Sequence, residues 1–350
     1  MARATTRLAA PARGPALRRG GAARGRPGAL VMALAALVLA QAPMPAAAQE
    51  DGPGRGFVVA TALPATYSIA AALAEGTPIT VRLVPEGGRP MGQLPELFAR
   101  RAEALTAELA DVDAVVTIGK LWSDDPLYTI ARAANIRVVD IDATKPWSIA
   151  LEGIAVAAEP VTDAPFAATR PPAERAPSIF FWLSPANGAR AADIVGRDLM
   201  RLVPESAARI ERNLAAFRTA MLGLQTEYQV ELAELPDLTV AALAPELVYL
   251  TNAFGIYVDS YFLKQDVEWT DGDLAGLSRY LEDNAIGVVI HKWEPAERIA
   301  DAVAEGGAEL VVLDPIDLGI ETDDGIAADS YQRLLRANLE ALYSALARAQ

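Results

Sequence analysis

The chain has 350 residues, with 31 basic and 45 acidic side chains for a formal charge of −14, one histidine and no cysteine. These counts exclude disulfides, thiolate catalysis, cysteine-ligated zinc and any site that needs two imidazoles. The acidic balance repels phosphate backbones and anionic lipid, which excludes nucleic acid and membrane surfaces as partners.

Arg3 to Arg26 carries seven arginines and no acid, Gly28 to Leu39 is a short apolar run, and Ala46-Ala47-Ala48 precedes Gln49. Together they read as a secretory signal peptide over residues 1–48, cleaved at a small-residue site. An apolar run of about a dozen residues falls short of the ~20 that span a bilayer, so the segment is not a membrane anchor. Without a cysteine there is no bacterial lipid attachment at the mature end either. The remaining 302 residues carry a net charge of −21, a length that suits two domains. The expected location is the periplasm.

Short β-branched runs then alternate with helical patterns, the signature of parallel sheets covered by helices. Phe57–Ala60, Ile79–Leu83, Ala114–Ile118 and Arg137–Ile141 read as four strands of an N-terminal lobe over 56–203. Within that lobe, Leu97, Ala102, Leu105 and Leu109 predict one helix from about Pro95 to Ala110. Residues 142–177, with six prolines, read as a long loop. From Pro204 to Glu234, Ile210, Leu214, Phe217, Met221, Leu224 and Tyr228 recur at steps of four and three, predicting one amphipathic helix ~45 Å long that acts as a stiff spine. Leu238–Ala242, Ile256–Asp259, Gly287–Ile290 and Glu309–Leu313 supply four strands of a C-terminal lobe over 236–350. The fold class is α/β: two four-stranded, mainly parallel lobes on a spine helix, with a ligand cleft between them.

Several segments carry a family resemblance. Val58–Pro64, Val81–Met91 and Ala110–Gly119, then Phe181-Trp182-Leu183-Ser184-Pro185, Pro204-Glu205-Ser206 with Arg212-Asn213-Leu214, and finally Val311–Ile316 with Tyr331–Leu339 resemble, in order, the motifs of zinc/manganese solute-binding proteins of ABC importers, the ZnuA/TroA-like family. The resemblance covers residues 56–346. It implies a non-enzymatic periplasmic protein that delivers its ligand to an inner-membrane ABC permease and does not itself span the membrane. It also implies four metal-ligand positions between the lobes, usually histidines plus a final carboxylate. Here those positions hold Met91, Phe180, about Ala244 (with Glu246 two residues on) and Asp314, so only the last matches.

Zinc takes about four ligands from imidazole, thiolate or carboxylate, and this set offers one carboxylate, one thioether and two hydrocarbon groups. Asp314 is read two ways, as a metal or ligand contact beyond a strand's carboxyl end or as a cap on its own turn. His291, at the end of Val288–Ile290, is either a structural histidine or a cleft ligand, and with Asp314 it is the remaining candidate for metal. Trp122 and Trp293, also at strand ends, either cap the sheets or line a cleft for something bulkier than an ion. If both sheets aim their carboxyl ends at one cleft, then Met91, Trp122, Phe180, Tyr249, His291, Trp293 and Asp314 converge there. The expected ligand is a divalent metal held unusually, a metal chelate or a small organic solute; the alternative is a ligand-free accessory protein that keeps the fold. An enzyme is disfavoured because no nucleophile has an adjacent base.

Overall fold

The computed structural model describes residues 56–163 and 175–350; the predicted signal peptide lies outside them. All eight predicted strands form, each within two residues of its expected ends. β1 (Val58–Thr61), β2 (Thr80–Leu83), β3 (Ala114–Thr117) and β4 (Val139–Asp142) make a parallel sheet in the order β2-β1-β3-β4. β5 (Thr239–Ala242), β6 (Tyr257–Tyr261), β7 (Val288–His291) and β8 (Glu309–Val312) repeat the arrangement as β6-β5-β7-β8. The central strands β3 and β7 are buried at every position, as their unbroken apolar runs require in a sheet covered on both faces.

The predicted helix over 95–110 is two helices, α2 (Leu94–Arg100) and α3 (Ala102–Glu108), broken at Arg101 with φ −109° and ψ 18°. The buried side chains Leu94, Phe98, Leu105 and Leu109 would lie on one stripe of a continuous helix, so their spacing does not reveal the break. The spine begins with a 3₁₀ turn at Pro204–Ser206 and continues as α6, Ala207–Leu232, of 26 residues. That makes it ~39 Å long, shorter than the sequence suggests because the α-helix itself starts only at Ala207 and ends at Leu232. Ile210, Leu214, Phe217, Met221, Leu224, Tyr228 and Leu232 are its buried stripe, each worth about 1.5–3 kcal/mol over an exposed position.

A second helix also joins the lobes. α10 (Ser330–Arg348) packs on β8 of the C-terminal lobe and on α1 (Pro64–Ala74) of the N-terminal lobe. At its start, the fully buried Tyr331 hydroxyl donates to the carbonyl of Trp182 at 2.7 Å, and Trp182 Nε1 donates to the carbonyl of Pro315 at 2.8 Å. Gly188 in α5 (Pro185–Leu202) makes room for this chain of bonds, since a Cβ there would stand 2.0 Å from the Tyr331 hydroxyl oxygen.

The described parts of the Pro-rich excursion after β4 have no helix or strand, only the isolated bridge between Ala158 and Pro177. They are nonetheless tied down on both lobes. Asn187 brackets Ala155 with two hydrogen bonds of 2.9 Å, and Asp163 accepts from the backbone of Tyr261 and the hydroxyl of Ser260 at the edge of the C-terminal sheet. Among the described residues no helix is long and apolar enough to cross a membrane.

Candidate functional site

The carboxyl ends of the two sheets face a shared cavity of about 790 Å³, the place where open parallel sheets hold ligands. Pro90, Met91 and Gly92 reach it from the loop after β2, and Leu121, Trp122 and Ser123 from the loop after β3. The C-terminal lobe contributes Glu246 after β5, Lys292 and Trp293 after β7, and Asp314, Pro315, Asp317 and Leu318 after β8. A third wall comes from the excursion, which supplies Glu159 and residues Ala176 to Phe180.

Five of the seven residues expected to converge line this cavity: Met91, Trp122, Phe180, Trp293 and Asp314. Tyr249 and His291 do not. Tyr249 lies in α7 (Val248–Phe254), 4% exposed, with its hydroxyl spent on the excursion's backbone. His291 is the last residue of β7 and also 4% exposed; its ring packs against Trp293 with centroids 5.2 Å apart, and Nδ1 has no hydrogen-bond partner. Burial drives its pKa down to about 4, with Asp266 opposing and Lys292 adding to the shift. His291 is therefore a neutral imidazole supporting the Trp293 wall from behind. Ala244 is buried in the core, and Glu246 occupies the cavity in its stead.

The polar groups fall into two clusters. Lys292 forms an ion pair with Glu246, and its ammonium sits 4.4 Å from the centroid of the Trp293 ring. Glu159 lies close enough to both for its carboxyl to be pushed up, first by burial and then by Glu246, with Lys292 opposing. In the second cluster, Asp314 Oδ1 accepts from the N–H of Ile316 at 2.6 Å, the turn cap of one sequence reading. Ile316 sits at φ 63°, a left-handed conformation unfavourable for a β-branched side chain. Asn338 fixes the same turn by accepting from Asp314 N–H at 2.8 Å and donating to its carbonyl at 2.7 Å. Asp317 reaches across to the N-terminal lobe and accepts from Met91 N–H; burial and the neighbouring Asp314 raise its pKa. Burial raises that of Asp314 as well.

As a metal site this arrangement is poor. Among the described residues no three carboxylate or imidazole side chains are placed to hold one ion. Met91 is 2% exposed and Phe180 stacks edge-on against Trp182 at 5.5 Å, so these two positions present hydrophobic surface. Lys292 and Asp317 were within reach of the strand-end rule, being next to His291 and three residues past Asp314. Glu159 was not, because it arrives on an irregular segment with no periodicity to read.

The family model described as "Zinc-uptake complex component A periplasmic", ZnuA, matches residues 58–345. The chain belongs to the ZnuA family. It is accordingly a solute-binding protein of the metal-transport type, a transport component with no enzymatic activity. No curated protein sequence matches it. Among solved structures, a mutant of FpvC from Pseudomonas aeruginosa superposes with a TM-score of 0.67 at 20% identity, covering 83% of this chain and 100% of that one. A ZnuA structure gives 0.61 at 21% identity, covering 83% and 99%. The Zn(II)-bound ZnuA-like domain of AdcA from Streptococcus pneumoniae gives 0.58 at 20%, covering 83% and 98%. At such identities these likenesses speak for the ZnuA-like fold.

Proposed function

We propose that this chain is the periplasmic binding component of an ABC importer whose ligand is larger than a bare zinc ion, either a metal chelate or a small organic solute. The observation that carries the reading is the cavity itself. Its volume lies in the range of small-molecule sites, and its walls at the family's ligand positions are a thioether, a phenyl ring and a carboxylate already capping a turn. Met91, Trp122, Phe180 and Trp293 supply apolar area, while Glu159, Glu246, Lys292, Asp314 and Asp317 orient the ligand. Tyr249 and His291 hold two of the walls in place.

Both lobes contribute to the cavity, so a bound solute bridges them and presents a ligand-dependent surface to the permease. Native mass spectrometry of protein purified from its own periplasm tests this. A co-purifying organic or chelate mass at one-to-one stoichiometry is the expected result. Protein that is always bare, or that carries only zinc, would end the proposal; the bare outcome would favour an accessory protein that keeps the fold without a small ligand.

A further inference from the structure

We propose that the cavity is built for a cationic organic solute, an amine or quaternary ammonium carried on an apolar or aromatic body. The inference rests on the solute-binding reading above and adds the ligand's charge and shape.

Charge is the first argument. Four carboxylates line the cavity, and Lys292 is the one basic side chain lining it among the described residues. Lys292 is committed to Glu246. Glu159, Asp314 and Asp317 are left as surplus negative groups in a partly desolvated space. Carboxylates out of water are costly unless paired, and burial is the leading cause of the raised proton affinity of all three. A positively charged ligand would supply the partner that the protein lacks. An anionic ligand would meet three carboxylates offset only by Lys292, which is already paired with Glu246.

The walls give the second argument. Trp122, Trp293 and Phe180 present aromatic surface around the same space, and one ring already accepts a cation, since the Lys292 ammonium lies 4.4 Å from the Trp293 centroid. Aromatic faces beside carboxylates are the combination that recognises organic cations. A bare dication gains nothing from such walls and needs converging oxygen or nitrogen donors at about 2.0–2.6 Å, a grouping not found among the described residues. Size agrees, because about 790 Å³ accommodates a ring with a charged tail.

Calorimetry on metal-free mature protein tests the class with four probes of matched size: phenethylammonium, benzyltrimethylammonium, neutral 2-phenylethanol and anionic 3-phenylpropanoate. The two cations should bind at least about tenfold more tightly than the other two. Glu159→Gln and Asp317→Asn should each weaken the cations several-fold and leave 2-phenylethanol unchanged; the Asn oxygen keeps an acceptor for Met91 N–H, so folding is preserved. Lys292→Met should tighten the cations, an effect that a purely structural lysine would not give. Equal or stronger binding of 2-phenylethanol or 3-phenylpropanoate would overturn the cation assignment while leaving solute binding intact. Failure of all four up to about 10 mM would overturn it too, and the native mass spectrum then decides the solute-binding reading separately.

Discussion

The Tyr249 hydroxyl donates to the carbonyl of Ser178 at 3.0 Å and accepts the N–H of Ala157 at 3.0 Å, so one side chain of the C-terminal lobe clasps the outgoing and returning arms of the excursion. The bridge between Ala158 and Pro177 is directly adjacent. This clasp sets the wall that carries Glu159 and Phe180. Tyr249→Phe leaves a part-buried N–H and a buried carbonyl without this partner, which should cost about 1–3 kcal/mol and raise proteolytic cleavage between residues 155 and 178. An unchanged unfolding midpoint and cleavage pattern would show that the excursion is held by its other bonds alone.

Asp314 has two separable duties. Asp314→Ala removes the cap on Ile316, whose left-handed backbone then lacks a local partner, and should cost about 1–2 kcal/mol in thermal or denaturant unfolding. Asp314→Asn keeps an acceptor oxygen and should unfold near the parent midpoint. It removes one cavity charge, so it should still weaken an organic cation. If both variants unfold alike, the cap contributes nothing.

His291 links stability to pH. Its pKa falls from an ordinary 6.5 to about 4 on folding, so between those values the unfolded chain binds more protons than the folded one. Its contribution is fully present above pH 6.5 and is lost as the pH falls through that window, by about 3 kcal/mol in total. The measurement is the difference between parent and His291→Gln in unfolding free energy from pH 7.5 to 4. That difference should narrow steadily on acidification; a constant offset would mean the imidazole does not titrate there.

Zinc should bind weakly. Competition with a chromophoric chelator is expected to give no one-to-one complex tighter than ~1 μM, about 8 kcal/mol. Tighter binding, lost in Asp314→Asn, would reveal a ligand set that the positions of Met91, Phe180 and Glu246 do not suggest.

Six of the seven stripe residues of α6, all but Leu232, and the eight β-branched strand runs were legible in the chain because burial against a fixed secondary structure imposes a local period. The strand-end rule extended that legibility to Met91, Trp122, Trp293 and Asp314, since topology alone fixes where the loops after β2, β3, β7 and β8 open, whereas Phe180 was reached through the family resemblance. Periodicity failed at Arg101, where two short helices bury the same stripe that one long helix would.

The sequence by itself determined the two-sheet architecture and the absence of thiol and paired-imidazole chemistry, and it raised the expectation that Met91, Phe180 and Ala244 stand where the resembling family places metal ligands. Whether a strand-end side chain faces the cavity or the core was decided only by tertiary packing. His291 and Lys292 are neighbours in the chain, yet the alternation along β7 turns the imidazole inward beside Trp293 and brings the ammonium to Glu246. Tyr249 became a clasp because the excursion needed partners for its backbone, and Glu159 entered the site on that same segment. These placements depend on contacts between residues about 45 to 90 positions apart, as between Lys292 and Glu246 or Tyr249 and Ala157, which no local pattern encodes.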